Sequence, residues 1–354
     1  MATGMGPRNM MHLYHHFRIG NDVLRASAAD LRQVPKLSPQ VIERILLVQK
    51  NVNPEKIASD LSAGGIRLVM LGDQDYPRLL SETVDPPVML YLKGTLSLPE
   101  LPLLAVVGAR KATPYGLAVA KELSRGLAEN GWGVVSGMAR GVDAAAQAGC
   151  LDANGYTLAV LGCGVNICYP RENERLRDRI QASGGIISEL PPAASPLARN
   201  FPVRNRIISG CTLGTLVVEA GSRSGALITA YQALEQGRDV FAVPGPVTSP
   251  GSRGTNSLIK QGAKLVENVG DVLAEFAHLQ PGELGKMNSP APQKNPELSG
   301  DEGIIFRNLN LEPVHIDQLA ERTDLPVSVV GGLLTMLEVK GLARRLPGHY
   351  FIKA

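Results

Sequence analysis

Five short clusters in this sequence carry residue types that could hold an anion. Gly108-Ala109-Arg110-Lys111-Ala112-Thr113-Pro114-Tyr115-Gly116 follows an apolar run and precedes a helical one. Gly108 permits a sharp turn, Thr113 can cap a helix that begins with Pro114, and helix amides beside Arg110 suit a phosphate. The pattern is not GxGxxG, and a plain tight turn is the bland alternative. Ser136-Gly137-Met138-Ala139-Arg140-Gly141-Val142-Asp143 repeats the pairing of glycine with arginine, and Gly162-Cys163-Gly164-Val165-Asn166 with Tyr169-Pro170 adds glycines that let backbone approach a ligand. Arg199-Asn200-Phe201-Pro202-Val203-Arg204-Asn205-Arg206 sets three arginines around one aromatic. Cations that take phosphates beside a ring that takes a base are what single-stranded nucleic acid requires, although Phe201 in the core of a solvated helix start would read the same way. The fifth cluster, Val217-Val218-Glu219-Ala220-Gly221-Ser222-Arg223-Ser224-Gly225, offers a carboxylate that could orient arginines or act as an acid.

Catalysis needs a second titratable partner, and histidine is scarce. Of six histidines, three lie within Met1–Phe17, and His278, His315 and His349 fall outside the segment carrying the clusters. Acyl transfer and metal hydrolysis therefore have little support, and binding is the simpler account. Cys150, Cys163, Cys168 and Cys211 form no CxxC pair and have no histidine at zinc spacing, so reduced core thiols are expected and no metal.

The elements that must position these clusters are legible as apolar runs. Leu103–Val107, 133–136, 157–161, 185–189, 216–219 and 239–243 read as strands, apolar along their length and separated by helical stretches. That pattern means a mostly parallel sheet covered on both faces, which binds ligands at the carboxyl ends of its strands. Two more strands are expected at 66–71 and 88–92. Residues 9–61 have helical spacing broken by Pro35 and Pro39, the mark of a small helical bundle. The rhythm of 31–45 is that of a helix-hairpin-helix, but Lys36-Leu37-Ser38-Pro39 lacks the hairpin glycines, which favours a packing module over DNA contact. Residues 281–300 are aperiodic and rich in Pro and Gly, as a linker is. Helices expected at 304–308, 316–323 and 328–340, then a hairpin at 342–352, follow winged-helix order. The third helix has few cations, so protein contact is as well supported there as DNA reading.

The chain has 354 residues, 36 Lys+Arg against 33 Asp+Glu, and 44% hydrophobic residues, enough for two or three folded units. A net charge of +3 does not choose a partner. No run reaches the roughly 18 apolar residues of a membrane helix, and the first residues lack the apolar block of a signal peptide, so a soluble cytoplasmic protein is expected, without membrane contact.

Taken in order, Gly108-Ala-Arg-x-x-Thr-x-Tyr-Gly116, Ala139-Arg-Gly-Val-Asp143, Ala159-Val-Leu-Gly-x-Gly164, Phe201-Pro-x-Arg-Asn-Arg-Ile-Ile208, Ser224-Gly-x-Leu-Ile-Thr-Ala230 and Gly237-Arg-x-Val-Phe-Ala-Val-Pro-Gly245 are similar to the DNA-processing protein A (DprA/Smf) family across about 66–270. The resemblance implies a Rossmann-like, doubly wound α/β core at 65–280, with a helical SAM-like domain at 1–64, the linker at 281–300 and a winged-helix-like domain at 301–354. It implies a homodimer, formed through the Rossmann-like domain, that shields single-stranded DNA in natural transformation and loads the recombinase RecA onto it, with no cofactor and no catalysis. Carried over by motif, the DNA-binding set is Gly108, Arg110, Thr113, Arg140, Gly141, Arg199, Phe201, Arg204, Asn205, Arg206, Ser224 and Gly225. Ala109, Gln147 and Asn166 stand where the family usually has Ser, His and Asp. The alternative is a nucleotide phosphoribohydrolase of the LOG-like group using Glu219, because Gly214-Thr215-x-x-x-Glu219 resembles its Gly-Thr-x-x-Glu turn, with one residue more.

Overall fold

The computed structural model describes residues 6–17, 20–94, 101–277, 300–309, 314–323, 325–340, 342–346 and 348–353. The chain forms two compact units, Met1–Asn288 and Ser289–Ala354.

The first unit begins with helices α1 (Pro7–Phe17), α2 (Gly20–Arg25), α3 (Ala28–Gln33), α4 (Pro39–Asn51) and α5 (Pro54–Ala63). Their starts follow capping rules: Ser27 and Asp30 form a capping box on α3, Ser38 caps α4 ahead of Pro39, and Asn53 caps α5 ahead of Pro54. Leu13, Leu31, Val34, Ile42 and Ile45 fill the space between these helices. The tight corner before α4 is made by Lys36 at φ +61° in place of the missing glycine.

The sheet domain then runs β1 (Ile66–Met70), α6 (Arg78–Ser81), β2 (Met89–Gly94), β3 (Leu103–Val107), α7 (Pro114–Glu129), β4 (Gly133–Ser136), α8 (Val142–Asp152), β5 (Thr157–Val160), α9 (Glu174–Ser183) and β6 (Gly185–Ser188). It continues α10 (Asn200–Gly210), β7 (Gly214–Val217), α11 (Gly225–Glu235), β8 (Asp239–Ala242), α12 (Arg253–Lys260), β9 (Lys264–Leu265) and α13 (Val269–Glu275). The nine strands lie in the order β1-β2-β6-β5-β4-β3-β7-β8-β9. From β6 to β9 every pairing is parallel, whereas β1 and β2 extend the β6 edge antiparallel. The short β9 was not expected from the sequence, because two residues carry no readable period.

Strands β3 to β7 are buried along their whole length, as a sheet with helices on both faces requires. Alternate residues divide between two cores. Leu104, Val106 and Val134 pack with Leu123, Leu127, Ala146 and Trp132 on the α7–α8 face, and Ala105, Val107 and Val135 pack with Ile207, Ile208, Ala226 and Ala230 on the α10–α11 face. The order of connection matters most for function. From β3 the chain steps outward through β4, β5 and β6, then returns on α10 to place β7 on the other flank of β3. The carboxyl ends of β3 and β7 therefore border the switch point at which open α/β sheets leave a crevice.

The second unit has α14 (Asp301–Asn308), β10 (Val314–His315), α15 (Ile316–Thr323), α16 (Val327–Val339), β11 (Ala343–Leu346) and β12 (Tyr350–Lys353). Its three-stranded sheet, in the order β10-β12-β11, closes a core of Ile305, Leu319, Val330, Leu334, Leu337 and Phe351. This is the winged-helix arrangement. Apart from Gly300, the 281–300 segment read as a linker lies outside the described residues. Among the described residues no helix is long and apolar enough to cross a membrane, and no group of three or more His, Cys, Asp or Glu could hold a metal ion. All four cysteines are free thiols, and burial pushes Cys150 up to about 12 and Cys163 to about 11.

Candidate nucleic-acid interface

At the β3/β7 switch point the structure opens a cleft of about 760 Å³. One wall is the β3–α7 loop with Gly108, Ala109, Arg110 and Lys111, and the other is the turn into α11 with Gly221, Arg223, Ser224 and Gly225. The start of α10 contributes Phe201, Arg204 and Asn205, and Tyr169 comes from the segment after β5. The Arg110 guanidinium carbon stands 5.0 Å from the Phe201 ring centre, within cation–π range. The Tyr169 ring lies 5.5 Å from the same ring at an interplanar angle of 39°. Arg110, Lys111 and Arg223 are exposed, and the one acidic residue among the described lining is Asp143, which is buried. The mouth is thus cationic and half-aromatic.

Glycines make this geometry by close approach. Gly141 sits at φ +75°, and a Cβ there would lie 2.2 Å from the Ala109 carbonyl oxygen. Gly108 has no room either, because its Cβ would fall 2.6 Å from a Val142 methyl group. A Cβ on Gly162 would meet the Phe201 ring at 2.8 Å. These glycines seat loop on loop and admit the ring, so close packing by itself requires them. Of them, Gly108 also lines the cleft.

Two expected phosphate contacts need correction. Arg204 is only 6% exposed, and its guanidinium donates to the carbonyls of Gly137 (3.1 Å) and Val160 beneath the cleft floor. Beside it, Asp143 accepts from the Gly137 and Ala139 amides at 3.2 and 3.4 Å. Burial raises the Asp143 carboxyl above its usual range against the pull of Arg204, and pushes Arg204 down to about 10 against the pull of Asp143. Arg204 is thus a buried strut under the ends of β4 and β5, with Asp143 as a charged neighbour and not an ion-pair partner. Arg206, 9% exposed, donates to both Glu189 oxygens at 3.0 and 2.9 Å and lies 3.3 Å from an Asp85 oxygen. It is an internal ion pair outside the cleft lining.

The remaining candidates divide. Asn205, Ser224 and Gly225 line the cleft, and Ser224 also caps α11. Arg140 is exposed but outside the lining, paired with Glu172 through a 2.7 Å hydrogen bond that holds that carboxyl below its usual range. Arg199 is exposed at the α10 start and also outside the lining. Thr113 turns away from the cleft. Its hydroxyl accepts from Gly116 N at 3.1 Å and donates to Glu219 at 2.7 Å, while its amide donates to the same carboxylate at 3.1 Å. Glu219, 7% exposed, is therefore held by the α7 cap and does not line the cleft, which removes the support for its use as a catalytic acid. Lys111, Tyr169 and Arg223 were absent from the expected set; all three stand in the quoted clusters, so a rule that took every cation or ring flanking a glycine turn would have found them. The family departures also find their places. Ala109 lines the cleft, buried Gln147 donates to Thr157 at 3.2 Å, and Asn166 accepts from Lys93 at 3.1 Å, the latter two away from the cleft.

Fold and site together define a Rossmann-like α/β protein with a cationic, aromatic cleft at its switch point and a winged-helix unit. The model of the DNA recombination-mediator protein A family matches residues 67–277, and that of the DprA winged helix domain matches residues 289–349. The chain belongs to the DNA recombination-mediator protein A family. Among its relatives, protein Smf of Synechocystis sp. is 34% identical over 378 aligned positions, covering 98% of this chain and 95% of that one. The X-ray structure of DNA processing protein A from Streptococcus pneumoniae is similar at a TM-score of 0.69 and 36% identity, covering 77% of this chain and 94% of that one. A structure of DNA processing protein A from Helicobacter pylori, presented for its single-stranded DNA binding mode, has a TM-score of 0.54 and 29% identity, covering 60% of this chain and 96% of that one.

Proposed function

We propose that this chain binds single-stranded DNA in the β3/β7 cleft and acts as a recombination mediator that shields the strand and loads RecA onto it during natural transformation. The observation that carries the reading is the Arg110–Phe201–Tyr169 cluster among exposed cations: a guanidinium over a ring, open to solvent, can hold a phosphate while the aromatic surface takes a base. A phosphate and the face of a base are common to every nucleotide, so binding through this cluster is expected to be indifferent to sequence. In this reading the protein works in the cytoplasm as a homodimer through its sheet domain, and it binds the strand without cleaving it.

The test is titration of fluorescent oligo-dT and of duplex of equal length at several salt concentrations. Preferential binding of the single strand is expected, with a log–log salt slope of about −0.7 per phosphate held. Equal affinity for the duplex, or binding that ignores salt, removes the reading. Light scattering checks the dimer, and the rate of RecA filament growth on coated single strands checks the loading step.

A further inference from the structure

Beside the cleft lies a second depression of about 700 Å³ between α7, α8 and α9. Its floor is formed by alanines of α8 between Leu117 and Leu176, and its rim carries Lys121 from α7 and Arg175 and Arg179 from α9. The two arginines lie four residues apart, hence on one helix face and about 6 Å apart along the axis. Asp152, at the end of α8, accepts from Lys121 and Arg179 at 2.8 Å each, tying both walls to the floor. Those two contacts, Lys121 first, hold the Asp152 carboxyl below its usual range, so it is ionised at neutral pH. Three cations against one carboxylate leave the rim at +2, and Arg175 has no ion-pair partner among the described residues.

The groove adjoins the cleft wall at Gly141. Gly141 lines the groove, and its backbone packs against the Ala109 and Arg110 carbonyls of the loop that forms the cleft wall. At the same junction Asn173 donates to the Met138 carbonyl at 2.9 Å, which fixes the start of α9. A strand leaving the cleft past Arg110 across Gly141 therefore meets Arg175 and then Arg179. The floor offers methyl groups and no side chain that could read a base edge, so the rim cations meet a backbone of any sequence.

We propose that the α7–α8–α9 groove is a second subsite, which takes the sugar–phosphate backbone of the same single strand where it leaves the cleft. The inference rests on the cleft reading above, and oligonucleotide length separates the two. In the full chain, Arg175→Gln/Arg179→Gln is compared with Arg44→Gln/Arg78→Gln, which removes the same charge from exposed positions on α4 and α6. An oligo-dT of about 6 nucleotides, short enough for one cleft, binds the groove variant as it binds the unaltered protein. One of about 30 nucleotides binds about tenfold more weakly, with a salt slope shallower by about 1.4, the value of two phosphates. Arg175→Gln alone, which breaks no ion pair, gives about half that change in slope. Unaltered affinity and slope for the long strand in both groove variants overturns the proposal, as does an equal loss in the charge-matched control or for the short oligomer. If the unaltered protein holds neither oligomer, the cleft reading fails and the groove falls with it.

Discussion

Two arginines face the Phe201 ring from opposite surroundings, Arg110 at 5.0 Å from solvent and Arg204 at 6.0 Å from within. Their substitutions should separate cleanly. Arg110→Ala removes a cation that is free to take a phosphate and should weaken oligo-dT binding by about 1.5–3 kcal/mol while leaving the thermal midpoint in place. Arg204→Ala takes the donor from the buried Gly137 and Val160 carbonyls and the offsetting charge from the neighbourhood of Asp143, and should lower stability by about 1–3 kcal/mol in urea. Adding Asp143→Asn should recover part of that loss, because the charge left without an offset is then gone. Phe201→Ala should remove one base stack, about 1–3 kcal/mol of binding, with a smaller effect on folding. An unfolded Phe201→Ala protein would show that the ring serves the core.

At the scale of elements, helix starts both build the site and hold it. Thr113 caps α7 and ties it to Glu219 at the end of β7, so one side chain fixes the loop carrying Arg110 against the strand on the other side of the switch point. Thr113→Val should therefore lose about 1–2 kcal/mol of stability, read by denaturant unfolding. A pH dependence belongs to α13, which carries Val272 into the core with Trp132. The Asp271 carboxyl accepts from the Glu267 and Asn268 amides, and those bonds hold it below the ordinary aspartate range. A depressed folded value means that the contribution is present above the unfolded aspartate pKa and is lost as pH falls through the folded one. Asp271→Ala should thus cost about 1 kcal/mol at neutral pH, and its gap from the unaltered protein should close on acidification.

For the whole molecule, the division into two units predicts a division of labour. All the cleft residues and all the groove residues lie in Met1–Asn288. A chain ending at Ala277 is therefore expected to keep its affinity for oligo-dT, measured by anisotropy against the full chain. Within the winged unit α16, in the place of a recognition helix, contains no Lys or Arg. A large loss of affinity on truncation would return that unit to the site.

The apolar runs by themselves determined a parallel, two-faced sheet, because strands covered on both sides have no polar alternation to keep. Glycine–arginine clusters following those runs marked the carboxyl edge, and Gly108, Arg110, Phe201, Asn205, Ser224 and Gly225 do meet in one cleft. What local pattern could not reveal was the direction of each guanidinium. Arg204 and Arg206 are two residues apart on α10, so the helical turn sends them to different neighbours, one to the Gly137 and Val160 carbonyls beside Asp143, the other to Glu189 and Asp85. Those partners come from remote parts of the chain, and only folding brings them within reach. A buried cation persists where carboxylates and carbonyls close around it, and it is the tertiary arrangement that decides where they do.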